Sequence, residues 1–288
     1  KLYRVVSRLM ILQPDRIFME IVHIIAQMVH TDTVAVYAVK EGSTYLRLIN
    51  ALNEKSVQEG KSWNISQNPD IRAAMDAGEL YQGDVWSGEP AAVLPILYQE
   101  KCVAAILIRE LPYTSQTLYY INLLRTLSLL LRESVGRALD YEELVRAEQY
   151  IGETDILKPG AFRKKILLAR EREEKRLAEY CVVQIAGTED GGAICRADGT
   201  KDGGDICRAV GMKDGGDVYR IVSSGLRTTD NLGTDESGNL YILLNNTGAE
   251  DAEHLRKRLE AKGVKIRITA AFDDIDDAPG AADAVVEG

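Results

Sequence analysis

Apolar positions recur at helical spacing from the first residues of the chain. Leu2, Val5, Val6, Leu9 and Leu12 form one stripe with Arg4 and Arg8 outside it, which predicts an N-terminal helix or linker over residues 1–14. Ile17, Ile21, Ile24, Ile25 and Met28 mark one face of a second helix over 15–30, which Asp15 is placed to cap after Pro14. The pattern then shortens. Residues 33–39 and 44–52 are rich in β-branched and aromatic side chains and flank Lys40-Glu41-Gly42-Ser43, a strand pair with its turn. A short helix over 69–77 stops at Gly78, and a second strand pair over 92–97 and 103–109 turns at Gln99-Glu100-Lys101. Leu118, Ile121, Leu124, Leu127, Leu131 and Val135 run along a long helix that begins at Ser115 and continues past Ala138.

The pattern breaks between Gly152 and Gly160, with Pro159 inside the break, so a boundary falls between 148 and 155. Beyond it a charged helix over 161–179 carries Phe162, Ile166, Leu167 and Leu177 as its apolar marks. A strand over 180–186 follows, then a helix from about Asp217 to Gly225, a buried strand over 240–244, a helix over 248–262 and a strand over 264–271. Helices alternating with strands predict an α/β (α+β) domain with both faces of one sheet covered. The implied domains are 15–148 and 149–272, with an acidic tail over 273–288 whose composition predicts disorder. Inside the second domain, Gly187–Asp198 is echoed by Gly199–Val210 and Gly211–Val222. These three units of twelve residues read as a lengthened loop near 187–215. Their Asp-Gly-Gly-Asp runs lack the nine-residue period of calcium-binding β-helix repeats.

Composition narrows the function classes. The 288 residues carry 44 acidic and 35 basic side chains for a net charge of −9, which disfavours binding along nucleic acid but allows one small anion held by a few arginines. Four cysteines and three histidines show no zinc-like spacing, so no structural metal is expected. Cys102 reads as the start of a buried strand, and Trp63 and Trp86 as core or rim residues. No apolar run reaches the roughly 18–20 residues that span a bilayer. The start at Lys1 without Met suggests a piece of a longer protein.

The tetrad Arg227-Thr-Thr-Asp230, set between a helix end and a hairpin, carries the sharpest chemistry. A guanidinium fork bonds two parallel acceptors on a phosphate or on the O6/N7 edge of guanine. An ionised Asp is an acceptor only and suits guanine's N1 and N2 hydrogens. Arg137-Ala-Leu-Asp140 has the same spacing inside a helix, so spacing alone does not distinguish a site from a surface pair.

The first half, in its layout and in Pro95-Ile96-Leu97 followed by Val103–Ile108, resembles a GAF domain. In the second half, Thr154-Asp155-Ile156-Leu157, Phe162-Arg163, the run Gly216–Arg227, Leu243-Leu244, Asn246-Thr247 and Ala252 resemble a GGDEF domain, the diguanylate cyclase fold. That family places its signature six residues after the Asp of an Arg-x-x-Asp inhibitory site. Here that stretch reads Glu236-Ser237-Gly238-Asn239-Leu240, and Cys181–Ala186 offers no carboxylate. The resemblance therefore implies a degenerate GGDEF-like domain without cyclase activity, because cyclisation needs divalent metal on carboxylates near the phosphates. The fusion is similar to a family of cyclic di-GMP receptors of exopolysaccharide synthesis and export. It implies cyclic di-GMP as ligand without a further cofactor, and Arg227 and Asp230 as binding residues. A third arginine is implied at Arg258 or, one register away, Arg256. It further implies glycosyltransferase and membrane subunits as partners, homodimerisation, and tethering to a bacterial inner membrane. A residual cyclase, or a scaffold that dimerises through the helix at 115–147 without nucleotide, are the alternatives.

Overall fold

The computed structural model describes residues 13–83, 89–112, 117–188 and 215–269. Residues 1–12 of the expected N-terminal helix or linker over 1–14, Trp86, most of the twelve-residue repeats and the acidic tail lie outside these residues. Contacts divide the chain into two compact units. The first holds the described residues up to 148, with 167–179 and 227–229; the second holds 149–166, 180–226 and the chain from 230 onward.

In the first unit, α1 (Pro14–Val29) follows its apolar stripe, with Ile17, Ile21 and Ile25 fully buried. The cap position is Gln13, whose side chain makes no capping bond, and Asp15 lies inside the first turn after Pro14. Its carboxylate instead pairs with Arg172 at 3.1 Å, an arginine almost wholly buried and in need of a counter-charge. Next come β1 (Val34–Ala38), β2 (Tyr45–Ala51), β3 (Ser62–Asn64), α2 (Pro69–Ala77), β4 (Tyr81–Gln82), β5 (Ala92–Tyr98) and β6 (Lys101–Ile108). They form a six-stranded antiparallel sheet of order β3-β2-β1-β6-β5-β4. The long helix α3 (Leu118–Leu144) then returns across it, and the short α4 (Arg146–Gln149) follows.

Period-two alternation sends the two sides of each strand to two different cores. Val34, Val36, Leu94, Ile96 and Ile106 face α1 and α3, whose Leu124, Leu127, Leu131 and Val135 complete that core. Ala35, Tyr37, Leu46, Leu48 and Leu107 face Trp63, Ile71 and Met75 on the opposite side. The Tyr37 and Trp63 rings meet edge to face at 5.8 Å, and the Tyr37 hydroxyl donates to the Gly60 carbonyl at 3.0 Å. Trp63 is therefore a core residue.

The second unit is built on β7 (Ile156–Leu157), the first part of α5 (Pro159–Glu174), β8 (Tyr180–Thr188), α6 (Gly215–Gly225), β9 (Asn231–Thr234), β10 (Leu240–Asn245), α7 (Ala249–Glu260) and β11 (Val264–Thr269). Its sheet has the order β11-β8-β10-β9-β7, antiparallel except for the β7–β9 pair. Val183, Ile185, Ile242 and Leu244 pack with Val222 of α6 and with Leu255 and Leu259 of α7. On the other face Phe162 of α5 stacks on Tyr241 at 6.4 Å and lies against Gly233, where a Cβ would meet the Phe162 ring at 2.2 Å. Only glycine admits the ring at that distance. The charged helix ends earlier than its pattern suggested, because Arg176 takes a left-handed φ of 56° and turns the chain toward Leu177. The protein is thus an α+β molecule of two units, each with helices packed on one mainly antiparallel sheet.

Candidate functional site

The tetrad lies in the turn between α6 and β9. Near the end of α6 its serines bond back to the helix: Ser223 Oγ donates to the Tyr219 carbonyl at 2.6 Å and Ser224 Oγ to that of Ile221 at 2.9 Å. Such local bonds compete with the helix ladder and favour an end there. Gly225 closes α6, and its carbonyl, one of those a helix leaves without an internal partner, accepts from Arg258 Nη2 at 2.6 Å. Arg227 follows, exposed. Asp230 is half-buried, and its Oδ1 accepts the Asn245 backbone N–H at 3.2 Å.

The two candidate third arginines are differently engaged. Both flank the stripe of Ala252, Leu255 and Leu259 that α7 buries. Arg256 is bracketed within its own helix by Glu253 and by Glu260, the latter at 2.9 Å. Bonds from Arg256 hold the Glu253 carboxyl below the usual range, and both glutamates push the guanidinium's pKa higher still. Arg258 reaches the carbonyl two residues before Arg227. The structure therefore brings Arg258 and the tetrad's flank together, and commits Arg256 elsewhere.

The look-alike tetrad in α3 is part of an ordinary helix surface. Arg137 is half-exposed at 4.0 Å from Glu133, one turn away. Asp140 accepts from the Tyr98 hydroxyl at 2.7 Å.

The β9–β10 hairpin, which carries Glu236-Ser237-Gly238-Asn239-Leu240, turns the Asp235 carboxylate inward. Asp235, which the sequence reading did not single out, accepts from the backbone N–H groups of Ser237 (2.9 Å) and Asn239 (2.8 Å), from Asn239 Nδ2 (2.7 Å) and from the Tyr241 hydroxyl (3.1 Å). An Asp followed two residues later by Ser-Gly is the composition of a side-chain-closed turn, the signal that could have found it. Gly238 supplies the left-handed φ of 77° that this turn requires. Burial, and then the Asp235 charge, push Tyr241 up to about 12. Both Asp235 oxygens are thus occupied within the hairpin. Among the described residues no group of three or more His, Cys, Asp or Glu is placed to hold a metal.

The first unit has a cavity of about 230 Å³ between the β1–β2 turn, α2 and the β5–β6 turn, lined by Lys40, Glu41, Arg72, Asp76, Lys101 and Cys102 among others. That is below the roughly 300 Å³ at which drug-sized ligands begin to fit. Cys102 is pushed up to about 12 by burial, which makes it an inert thiol at neutral pH. Among the described residues no helix is long and apolar enough to cross a membrane.

No family model and no curated protein matches the sequence. Among solved structures the chain is similar to PelD from Pseudomonas aeruginosa in complex with c-di-GMP, at 14% identity and a TM-score of 0.35 over 88% of this chain and 81% of that one. It is also similar to the GAF domain of an Acinetobacter phosphoenolpyruvate-protein phosphotransferase (15% identity, TM-score 0.35, 46% of this chain and 87% of that). A third is the diguanylate cyclase SiaD of Pseudomonas aeruginosa, solved with its activator SiaC (16%, 0.32, 54% and 66%).

Proposed function

We propose that this chain is a non-catalytic cyclic di-GMP receptor that takes the dinucleotide at the α6–β9 turn. The observation that carries the reading is the anchoring of that turn on both sides. Arg258 holds the Gly225 carbonyl before it and the Asn245 N–H holds Asp230 after it, with Arg227 exposed in between. Arg227 then offers its fork to guanine O6/N7 or a phosphate, Asp230 accepts from the guanine N1 and N2 hydrogens, and Arg258 adds a third contact from α7. Such a site favours guanine, because a carboxylate facing a base without those donors loses the hydrogen bonds that the guanine edge would give it.

Occupancy is passed, in this reading, to glycosyltransferase and membrane subunits of an exopolysaccharide machine of the Pel type at the inner membrane. Cyclase activity is not expected: the signature position carries Asn239, and the Asp235 carboxylate is closed into its own hairpin. Incubation with GTP and magnesium should give no cyclic product. Titration calorimetry with cyclic di-GMP tests the site. Arg227→Ala and Asp230→Ala should each weaken binding by about tenfold or more, the loss of one bidentate base contact; unchanged affinity in both would sink it.

A second reading, the dimerising scaffold, draws on Leu118, Leu129 and Leu144 of α3, which are 70%, 67% and 81% exposed. A protein that sediments as a dimer, becomes monomeric in Leu129→Glu and binds no cyclic dinucleotide in calorimetry would favour the scaffold over the receptor.

A further inference from the structure

We infer that the cavity of the first unit binds a small carboxylate carrying a short apolar chain. This site lies in the first unit alone and does not depend on the receptor reading. Three pieces of local structure enclose it. The β1–β2 turn passes through Gly42 at a φ of 75°, and the β5–β6 turn through Gln99 and Glu100 at 49° and 61°, the left-handed pair of a two-residue hairpin loop. Lys101 Nζ meets Glu41 Oε2 at 2.7 Å and ties the two turns to each other. The C-terminal half of α2 supplies Arg72, Met75 and Asp76 as the third wall.

Size and lining decide the body of the guest. The floor is apolar: Leu46, Ile65 and Met75 line the cavity and are 1%, 3% and 4% exposed. Cys102, whose thiol stays neutral, extends that floor. The 230 Å³ equals the share of roughly eight waters at about 30 Å³ each, so a guest of roughly eight non-hydrogen atoms fills it.

Charge decides the headgroup. Lys40, Arg72 and Lys101 line the cavity together with Glu41, Asp76 and Glu100. Lys101 and Glu41 neutralise one another, and Arg132, outside the lining, takes Glu100 at 2.5 Å. Lys40, Arg72 and Asp76 remain, one positive charge in excess. Asp76 is 71% exposed and keeps its water, and its Oδ2 lies 3.7 Å from Arg72 Nε, too far for a hydrogen bond. The Lys40 ammonium and the Arg72 guanidinium therefore close no hydrogen bond among the described residues. A planar carboxylate matches the Arg72 fork with two parallel bonds and meets Lys40 as a point charge. Its chain then lies on Leu46, Ile65 and Met75. A dianion would exceed the one charge in excess and face Asp76.

The test uses the full chain labelled at the methionine methyl carbons. Met75 sits on the cavity floor and is one of five methionines; its NMR signal, assigned with Met75→Leu, reports the cavity and the others serve as controls. At neutral pH, isocaproate, which has the expected size, should shift the Met75 signal saturably and leave the others in place. Isocaproamide has the same shape without the charge, and acetate has the charge without the chain; each should bind about tenfold or more weaker. Arg72→Gln and Lys40→Gln should each weaken isocaproate by about fivefold or more and leave isocaproamide unchanged. Cys102→Leu, which extends a side chain into the cavity, should abolish the isocaproate shift while the other methionine signals keep their wild-type positions. A Met75 signal that does not move with isocaproate overturns the inference. So does one that moves equally with the amide or in both charge variants, or that still moves in Cys102→Leu.

Discussion

Arg256 and Arg258 stand two residues apart on α7, and their neighbours separate them. Arg256 has glutamates three residues before and four residues after it on its own helix, and both bind it. Arg258 has none at those positions and reaches Gly225 instead. On the receptor reading proposed above, Arg258→Ala should weaken cyclic di-GMP binding by about tenfold, while Arg256→Ala should leave it within about twofold, since only a contacting arginine carries base or phosphate recognition. Equal effects of the two in calorimetry would refute the assignment. The same residue-level logic applies to structural charges. Glu59 and Arg109 form an ion pair whose side chains are only 9% and 16% exposed. The Glu59 charge, after burial, is what pushes the nearby Tyr37 hydroxyl above its ordinary pKa. Removing one member of a buried pair leaves the other without compensation, so Glu59→Gln should cost about 3 kcal/mol in urea unfolding. The Lys101–Glu41 pair is 62% and 74% exposed; Lys101→Ala should cost less than about 1 kcal/mol.

The β9–β10 hairpin is closed by its own side chains and backbone around the Asp235 carboxylate. The Tyr241 hydroxyl donates to Asp235, and burial, then the Asp235 charge and that bond, push the phenol up to about 12. A pKa raised in the fold means stability that is fully present below the unfolded value of about 10 and is lost as pH climbs through 12. The urea midpoint of the wild type should therefore fall between pH 10 and 12, and Tyr241→Phe should flatten part of that fall; identical slopes would remove Tyr241 as a cause. Much of this architecture was legible in the sequence. The stripe of Ile17, Ile21, Ile24 and Ile25 marked α1, and apolar runs, rich in β-branched residues, on either side of a turn marked β1, β2, β5 and β6. Strands β3, β4 and β7 have two or three residues, too few for any period, and exist through their neighbours. The Arg256 and Arg258 choice stayed open because both lie beside the same apolar stripe. Asp235 is marked only by the Ser-Gly that follows two residues later, a signal of a closed turn rather than of a ligand contact.

At the scale of the whole molecule, the segment 167–179 matters most for how the chain can be cut. The break in pattern near residues 148–155 suggests a self-sufficient first half, yet the first unit also takes residues 167–179. Leu168 and Leu177 are 7% and 3% exposed and belong to the core formed by α1, α3 and the sheet. The Ala51 N–H donates to the Leu177 carbonyl at 2.9 Å. Arg172, with a side chain 6% exposed, neutralises Asp15, while Lys61 meets Glu179 at 3.0 Å on the surface. A fragment ending at 148 loses two buried leucines, each worth about 1.5–3 kcal/mol, and leaves Asp15 and the Ala51 N–H without these partners. Those losses approach the 5–15 kcal/mol that holds a whole domain together. A fragment of residues 13–179 keeps them all. The expected outcome is cooperative urea unfolding for 13–179, and a low or absent transition for 13–148. A fragment 13–148 as stable as 13–179 would show that the second stretch packs on the first unit without supporting it. Leu177→Ala in the full chain provides the matching point change, with an expected loss of about 2–5 kcal/mol that should disappear in any fragment already lacking residue 177.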